Sequence, residues 1–258
     1  MPFLFGIADR GTGDSAGLPG PVLVRLLGDL GLSVPAARAL IARMTANGQL
    51  AATRRGRAAD YRLAGPFAES YHRIRTGATG APWAGYFHAV LYQVPERNRA
   101  FRDLLRRTGI FAGYGLLQQG VLISPTDRSD RLEPVLAQTP RAAQVHFGEL
   151  HMDHPAAIRA AYAAWDLGAL DRTYRAHARR LRAALARRSG PLPPDGRTLR
   201  RLCDLLTTPL VDLLRSTGLP AELAPEDWSR PDLLKAIEQL QATYAPPAAA
   251  YVQRLLTT

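Results

Sequence analysis

The sequence predicts a mixed α+β multidomain chain: an N-terminal winged helix-turn-helix, a central ferredoxin-like β-α-β-β-α-β domain and an all-α C-terminal part. Three observations predict it. Two short helical periods and a two-stranded ribbon follow one another before residue 76; strand-like and helical runs alternate as β-α-β-β-α-β between 83 and 152; beyond Pro155 every apolar period is helical. The expected domains are 1–76, 83–152 and 155–258.

In "PGPVLVRLLGDLGLS", Val22, Leu23, Leu26, Leu27 and Leu30 recur at helical spacing, and the helix closes near Gly31. Ser33 is an N-cap and Pro35 suits a first turn. Val34, Ala37, Leu40, Ile41 and Met44 then form one inward stripe until Asn47-Gly48 stops the helix. "QLAAT" and "DYRL" read as two strands joined by a basic hairpin carrying Arg54, Arg55 and Arg57.

In the middle segment "YFHAVLYQV" reads as a strand and "ERNRAFRDLLRR" as a helix. "FAGYGLL" and "GVLIS" read as strands across a Gln-Gln-Gly turn, "DRLEPVLAQ" as a broken helix and "AQVHFGEL" as the last strand. Further on, Leu167, Leu170, Tyr174, Ala178, Leu181 and Leu185 make a long amphipathic stripe. A Pro/Gly linker at 189–196 and helices at 198–215, 231–243 and 247–256 complete the chain. The one cysteine, Cys203, has no partner thiol and falls in the helical run "TLRRLCDLL", where it reads as a buried helix residue.

With 47% hydrophobic and 21% charged residues the composition is that of a globular protein. No apolar run reaches the roughly 18 residues of a membrane span, and "MPFLFGIADR" lacks the basic start of a signal peptide, so a cytoplasmic location and no membrane partner are expected. The net charge is +11, and 32 of the 33 basic residues are arginine, as high-GC coding would give. Distribution carries more information than the total. Residues 1–80 hold 10 basic against 5 acidic side chains and residues 161–190 hold 7 against 2, which points to a polyanionic partner.

"ARALIARM" with Gly48 and Leu50, "VPERNRAFRDLLRRTG", "GYGLLQQGVLISPTD", "WDLGALDRTYRA" and "GLPAELAPEDW" resemble, in order and spacing over more than 200 residues, the PaaX family of bacterial transcriptional repressors. The resemblance implies a winged helix, a Cas2-like ferredoxin domain and a C-terminal helical domain. It also implies a homodimer acting on a double-stranded DNA operator and released by a small effector, an aromatic acyl-CoA in the namesake. Two departures stand out. Positions that are usually aromatic in the family are Ala42 and Gln49, and a polar cluster expected before the GLP turn is replaced by Thr207-Thr208-Pro209-Leu210.

Several groups of side chains are candidates for function. With the apolar stripe turned inward, steps of about 100° put Pro35, Ala39, Ala42 and Ala46 on the outer face of the second helix, flanked by Arg38 and Arg43. The two arginines match arginines of the family pattern and suit a guanine edge or a phosphate, while the alanines offer only thymine-methyl contacts. Arg54, Arg55 and Arg57 suit phosphates, although three exposed arginines also fit a solvated turn. Arg172, Arg175, Arg179 and Arg182 share one helical face, fit either to grip phosphates or to be solvated. His88, Tyr92, Tyr114 and Trp165, with Arg172 and Arg175, are candidate ligand contacts, and equally core.

His146, His151, Asp153 and His154 lack a standard metal spacing, and Asp153 reads instead as the cap of the helix starting near Pro155. No cofactor, metal or catalytic set is expected. The alternative reading is a repurposed relative that binds or transforms a metabolite, with His88, Tyr92 or His151 as acid or base.

Overall fold

The computed structural model describes residues 2–8, 17–55, 58–65, 68, 82–214 and 219–257. Two compact units emerge. The first comprises Met1–Thr76, His177–Leu210 and Asp232–Thr258, and the second Gly77–Ala176 and Val211–Pro231, so residues 155–258 contribute to both.

The first unit opens with α1 (Pro2–Ala8) and a two-residue strand β1 (Leu18–Pro19). Helix α2 (Gly20–Asp29) starts with Pro21 in its first turn, buries Leu23, Leu26 and Leu27, and is followed by Gly31 at φ +97°. Helix α3 (Val34–Ala46) is capped by Ser33, whose hydroxyl accepts from the Ala36 amide. Strands β2 (Leu50–Arg55) and β3 (Ala58–Leu63) form the antiparallel ribbon, and β1 pairs with β3, giving the order β1-β3-β2. The winged helix-turn-helix is therefore as the sequence predicts, with α1 and β1 added. Val34 departs from the inward stripe that its spacing predicts: it is 50% exposed, because the buried line runs through Ala37, Ile41 and Met44.

The same unit holds part of α7 (Leu167–Ala186), from His177 on, part of α8 (Gly196–Leu214), up to Leu210, and most of α9 (Arg230–Thr257). Here two expected helices are one. Pro246 and Pro247 lie inside α9, and Leu240, Tyr244, Ala248 and Val252 are buried on both sides of them. Burial of a continuous face offsets the roughly 3 kcal/mol that a proline costs a helix interior. Cys203 is buried in α8, as expected, and desolvation pushes its thiol up to about 12.

The second unit is built on a four-stranded antiparallel sheet, β4 (Tyr86–Gln93), β5 (Gly115–Gln118), β6 (Val121–Ser124) and β7 (Gln144–His151), in the order β5-β6-β4-β7. Between β4 and β5 lies α4 (Arg99–Ala112); between β6 and β7 a 3-10 turn leads into the one-turn α5 (Glu133–Leu136). This is the predicted β-α-β-β-α-β order. The "FAGYGLL" strand begins later than expected, since Phe111 and Ala112 still belong to α4 and Gly113, left-handed at φ +101°, ends it.

Strand alternation sorts the core into two layers. Phe87, Ala89 and Ile123 face Ala157, Ala160, Ala161 and Trp165 of α6 (His154–Trp165). Val90, Tyr92 and Leu122 face Phe101, Leu105, Tyr114 and Leu132 on the other side. Gly115 lets α6 approach β5: a Cβ there would lie 2.7 Å from the Trp165 ring.

Two predictions follow from this packing. Gly115→Ala should destabilise the second unit by about 1–3 kcal/mol through overpacking against Trp165, read as a lowered urea midpoint. Burial, with the nearby Asp127 charge, raises the Tyr114 hydroxyl to about 12, as burial does for Cys203. Both groups stay protonated in the fold while their unfolded counterparts ionise near about 10 and about 8.5, so stability is fully present at neutral pH. It should be lost progressively as pH rises from about 8.5 toward 12. Urea midpoints taken between neutral and alkaline pH should fall more for the wild type than for a Tyr114→Phe, Cys203→Ala variant.

Candidate nucleic-acid interface

Helix α3 presents the outer face the sequence implies. Pro35, Ala39, Ala42 and Ala46 are exposed, as are Arg38 and Arg43, while Ala37, Ile41 and Met44 anchor the opposite face. Among the described residues no carboxylate pairs with Arg38, Arg43 or Arg54. The helix ends through Asn47 and Gly48, the latter at φ +67°, and the Gln49 amide donates to the Met44 carbonyl at 2.9 Å. That turn delivers the chain directly into β2. In the ribbon, Arg54 stands opposite Ala59 and is exposed near the hairpin tip. The backbone of Arg55 closes β2, and Arg57 lies outside the described residues.

A groove of about 780 Å³ runs between α2 and α3, walled by Val24, Val34 and Ile41 and bordered by Arg25, Asp29 and Arg38. Gly28 also lines it, and nothing would meet a Cβ there. Asp29 is the polar centre of this end. Its side chain is 16% exposed, the Tyr251 hydroxyl of α9 donates to its Oδ2 at 2.6 Å, and Arg25 lies 3.6 Å from its Oδ1. The tie raises Arg25 further, first through the Tyr251 hydroxyl and then through the Asp29 charge, while burial and the Asp29 bond push the Tyr251 hydroxyl up. A Cβ on Gly196 at the start of α8 would lie 2.9 Å from Asp29 Cγ, so the small residue is what lets α8 begin here.

The comparisons with known proteins fit this geometry. A family model described as PaaX-like protein matches residues 11–66, and one described as PaaX protein central Cas2-like domain matches residues 80–160. The two segments together cover more than half of the chain. It belongs to the PaaX family. Among solved structures, this PaaX-family chain is similar in fold to the uncharacterized protein Rv0674 from Mycobacterium tuberculosis. The TM-score is 0.55 at 20% identity, over 97% of each chain. A search of curated proteins found no match. No helix among the described residues is long and apolar enough to cross a membrane.

The remaining candidates of the PaaX-family chain are dispersed. His88, Tyr92 and Tyr114 lie on the α4 side of the central sheet and Trp165 on the α6 side, so the sheet stands between them. Tyr92 is buried, and desolvation raises its hydroxyl. Tyr86 brings His88 and His151 together, with ring centroids 5.3 and 5.1 Å away, and His151 Nε2 lies 3.0 Å from Glu149 Oε2. Asp153 caps α6 by accepting from the Ala156 amide at 2.7 Å, as its position predicts. No group of three or more potential metal ligands occurs among the described residues.

Arg172 and Arg179 are exposed, but Arg175 bonds Asp171 at 2.8 Å and Ser229 at 2.9 Å, and Arg182 pairs with Asp232. Half of that arginine face is thus structural. Thr207 returns its hydroxyl to the Cys203 carbonyl within α8, and Pro209 is buried in the same helix.

Sequence reasoning missed the Asp29–Tyr251 tie, because its two members are 222 residues apart and neither stands in a motif. Tyr251→Phe removes the donor from a half-buried carboxylate and should cost about 1–2 kcal/mol. A lowered urea midpoint checks this, and Asp29→Asn combined with Tyr251→Phe should lose little more than the single change if the two groups act as a pair.

Proposed function

We propose that this PaaX-like regulator acts by binding double-stranded DNA as a homodimer, repressing transcription until a small effector releases it. The observation that carries this reading is the set of Arg38, Arg43 and Arg54 on α3 and the ribbon behind it, exposed and without a carboxylate partner among the described residues. In the arrangement usual for a helix-turn-helix, α3 enters the major groove and the wing lies over the backbone. Arg38 and Arg43 then reach guanine edges or phosphates, Ala39, Ala42 and Ala46 accept thymine methyls, and Arg54, with Arg55 and Arg57, neutralises phosphate.

An outer face made of proline and alanines has few hydrogen-bonding groups. Affinity in this reading comes mostly from phosphate contacts and depends steeply on salt, and discrimination between sequences rests on two arginines and on methyl contacts.

The test is fluorescence anisotropy with duplex DNA from the region upstream of the coding sequence, against a scrambled duplex over a range of salt. The native duplex should bind more tightly. Arg54→Ala should lower the salt slope by about 0.9 for both duplexes, whereas Arg38→Ala with Arg43→Ala should shrink the difference between them. Equal wild-type binding to both duplexes would overturn operator recognition.

A further inference from the structure

The first unit holds a second concentration of arginine, away from the winged helix. Arg180 lies on α7 and Arg187 one residue past its end, where the Arg187 amide still donates to the Ala183 carbonyl, and between them Ala183 and Ala184 form a half-buried floor. Arg201 of α8 faces them across a groove of about 480 Å³, which Leu205 and Asp204 complete. These three guanidinium groups have different situations. Arg180 Nη2 donates to the backbone carbonyls of Asp204 at 2.9 Å and Leu205 at 3.3 Å, which fixes its plane across the two helices. Arg187 and Arg201 are exposed, and among the described residues no carboxylate pairs with either. The one acidic side chain at the rim, Asp204, lies 4.0 Å from Arg200.

Like charges gathered on one groove repel each other, and a solvated helix face would relieve that by spreading them apart. Here small residues keep the space between them open, and one guanidinium is held by two carbonyls before any ligand arrives. That pre-ordering lowers the entropy lost when an oxyanion bridges the arginines. Planar forks on two sides of one groove suit phosphoryl oxygens bridged from both helices.

We propose that the groove between α7 and α8, rimmed by Arg180, Arg187 and Arg201, is a phosphate-binding site. The phosphate belongs either to a small phosphorylated ligand or to the backbone of DNA, and the site does not depend on base recognition by α3.

Two arms separate the sources, using the full chain. Inorganic pyrophosphate is titrated calorimetrically into the wild type, into Arg187→Ala with Arg201→Ala, and into Ala184→Leu, which fills the floor and leaves every charge in place. Duplex DNA binding by the same proteins is followed against salt. Saturable pyrophosphate binding that weakens at least tenfold in both variants supports the site with a free phosphorylated ligand. A salt slope lowered by about 1.8 in the double variant, with no pyrophosphate binding to the wild type, supports it with backbone phosphate. Pyrophosphate binding that both variants retain overturns the proposal. So does the absence of pyrophosphate binding together with an unchanged slope or no DNA binding at all. Loss of sequence preference on changing Arg38 and Arg43 bears on α3 alone and leaves this outcome separate.

Discussion

A carboxylate that is only 16% exposed must be given partners, and Asp29 receives its own from elements far apart in the chain. The Tyr251 hydroxyl comes from α9, Arg25 from the preceding turn of α2, and Gly196 makes room at the start of α8. The consequence is that the N-terminal winged helix-turn-helix is not a free-standing module. Its first helix-turn-helix element is fastened to the last helix of the protein, and Gln253 adds a donor to the Ala8 carbonyl of α1. Arg200 lies against the left-handed Gly31 that separates α2 from α3, so the turn of the motif is also backed by α8.

The central sheet follows a different rule. Phe87 and Ala89 of β4 enter one core and Val90 and Tyr92 the other, and the two cores require different partners: alanines and Trp165 of α6 on one face, aromatic and aliphatic residues around α4 on the other. This is why a set of aromatic residues that looks like one pocket in sequence is split across the sheet. It also explains the small residues of α6, which let the helix come close enough to β5 that Gly115 is needed beneath Trp165.

Arginine serves two purposes in this chain, and the sequence does not separate them. Arg175, Arg182 and Arg180 hold other parts of the protein through Asp171 and Ser229, Asp232, and two backbone carbonyls. Arg38, Arg43, Arg54, Arg187 and Arg201 are exposed and lack a carboxylate partner among the described residues. The second group keeps all its donors for an anion, Arg180 keeps those that its two carbonyls leave, and a positive field of the whole chain concentrates wherever such groups share one surface.

Local rules were enough for much of this protein. The period of Ala37, Ile41 and Met44, the Ser33 and Asp153 caps, the strand alternation of β4 and the turn at Gly48 depend on residues a few positions apart, so the sequence alone determined the helix-turn-helix, the ribbon, the β-α-β-β-α-β order of elements and the exposed face of α3. Tertiary structure decided what depends on distant partners. Val34 lies outside the buried line, α9 runs through Pro246 and Pro247 on the strength of a face buried at both sides, and α4 takes over Phe111 and Ala112. The bond between Asp29 and Tyr251, and the division of the arginines into bound and unbound, were decided there too. The physical reason is that periodicity and capping are set by backbone geometry within a turn or two. Burial of a charge or of a whole face is settled only by which surfaces the folded chain brings together.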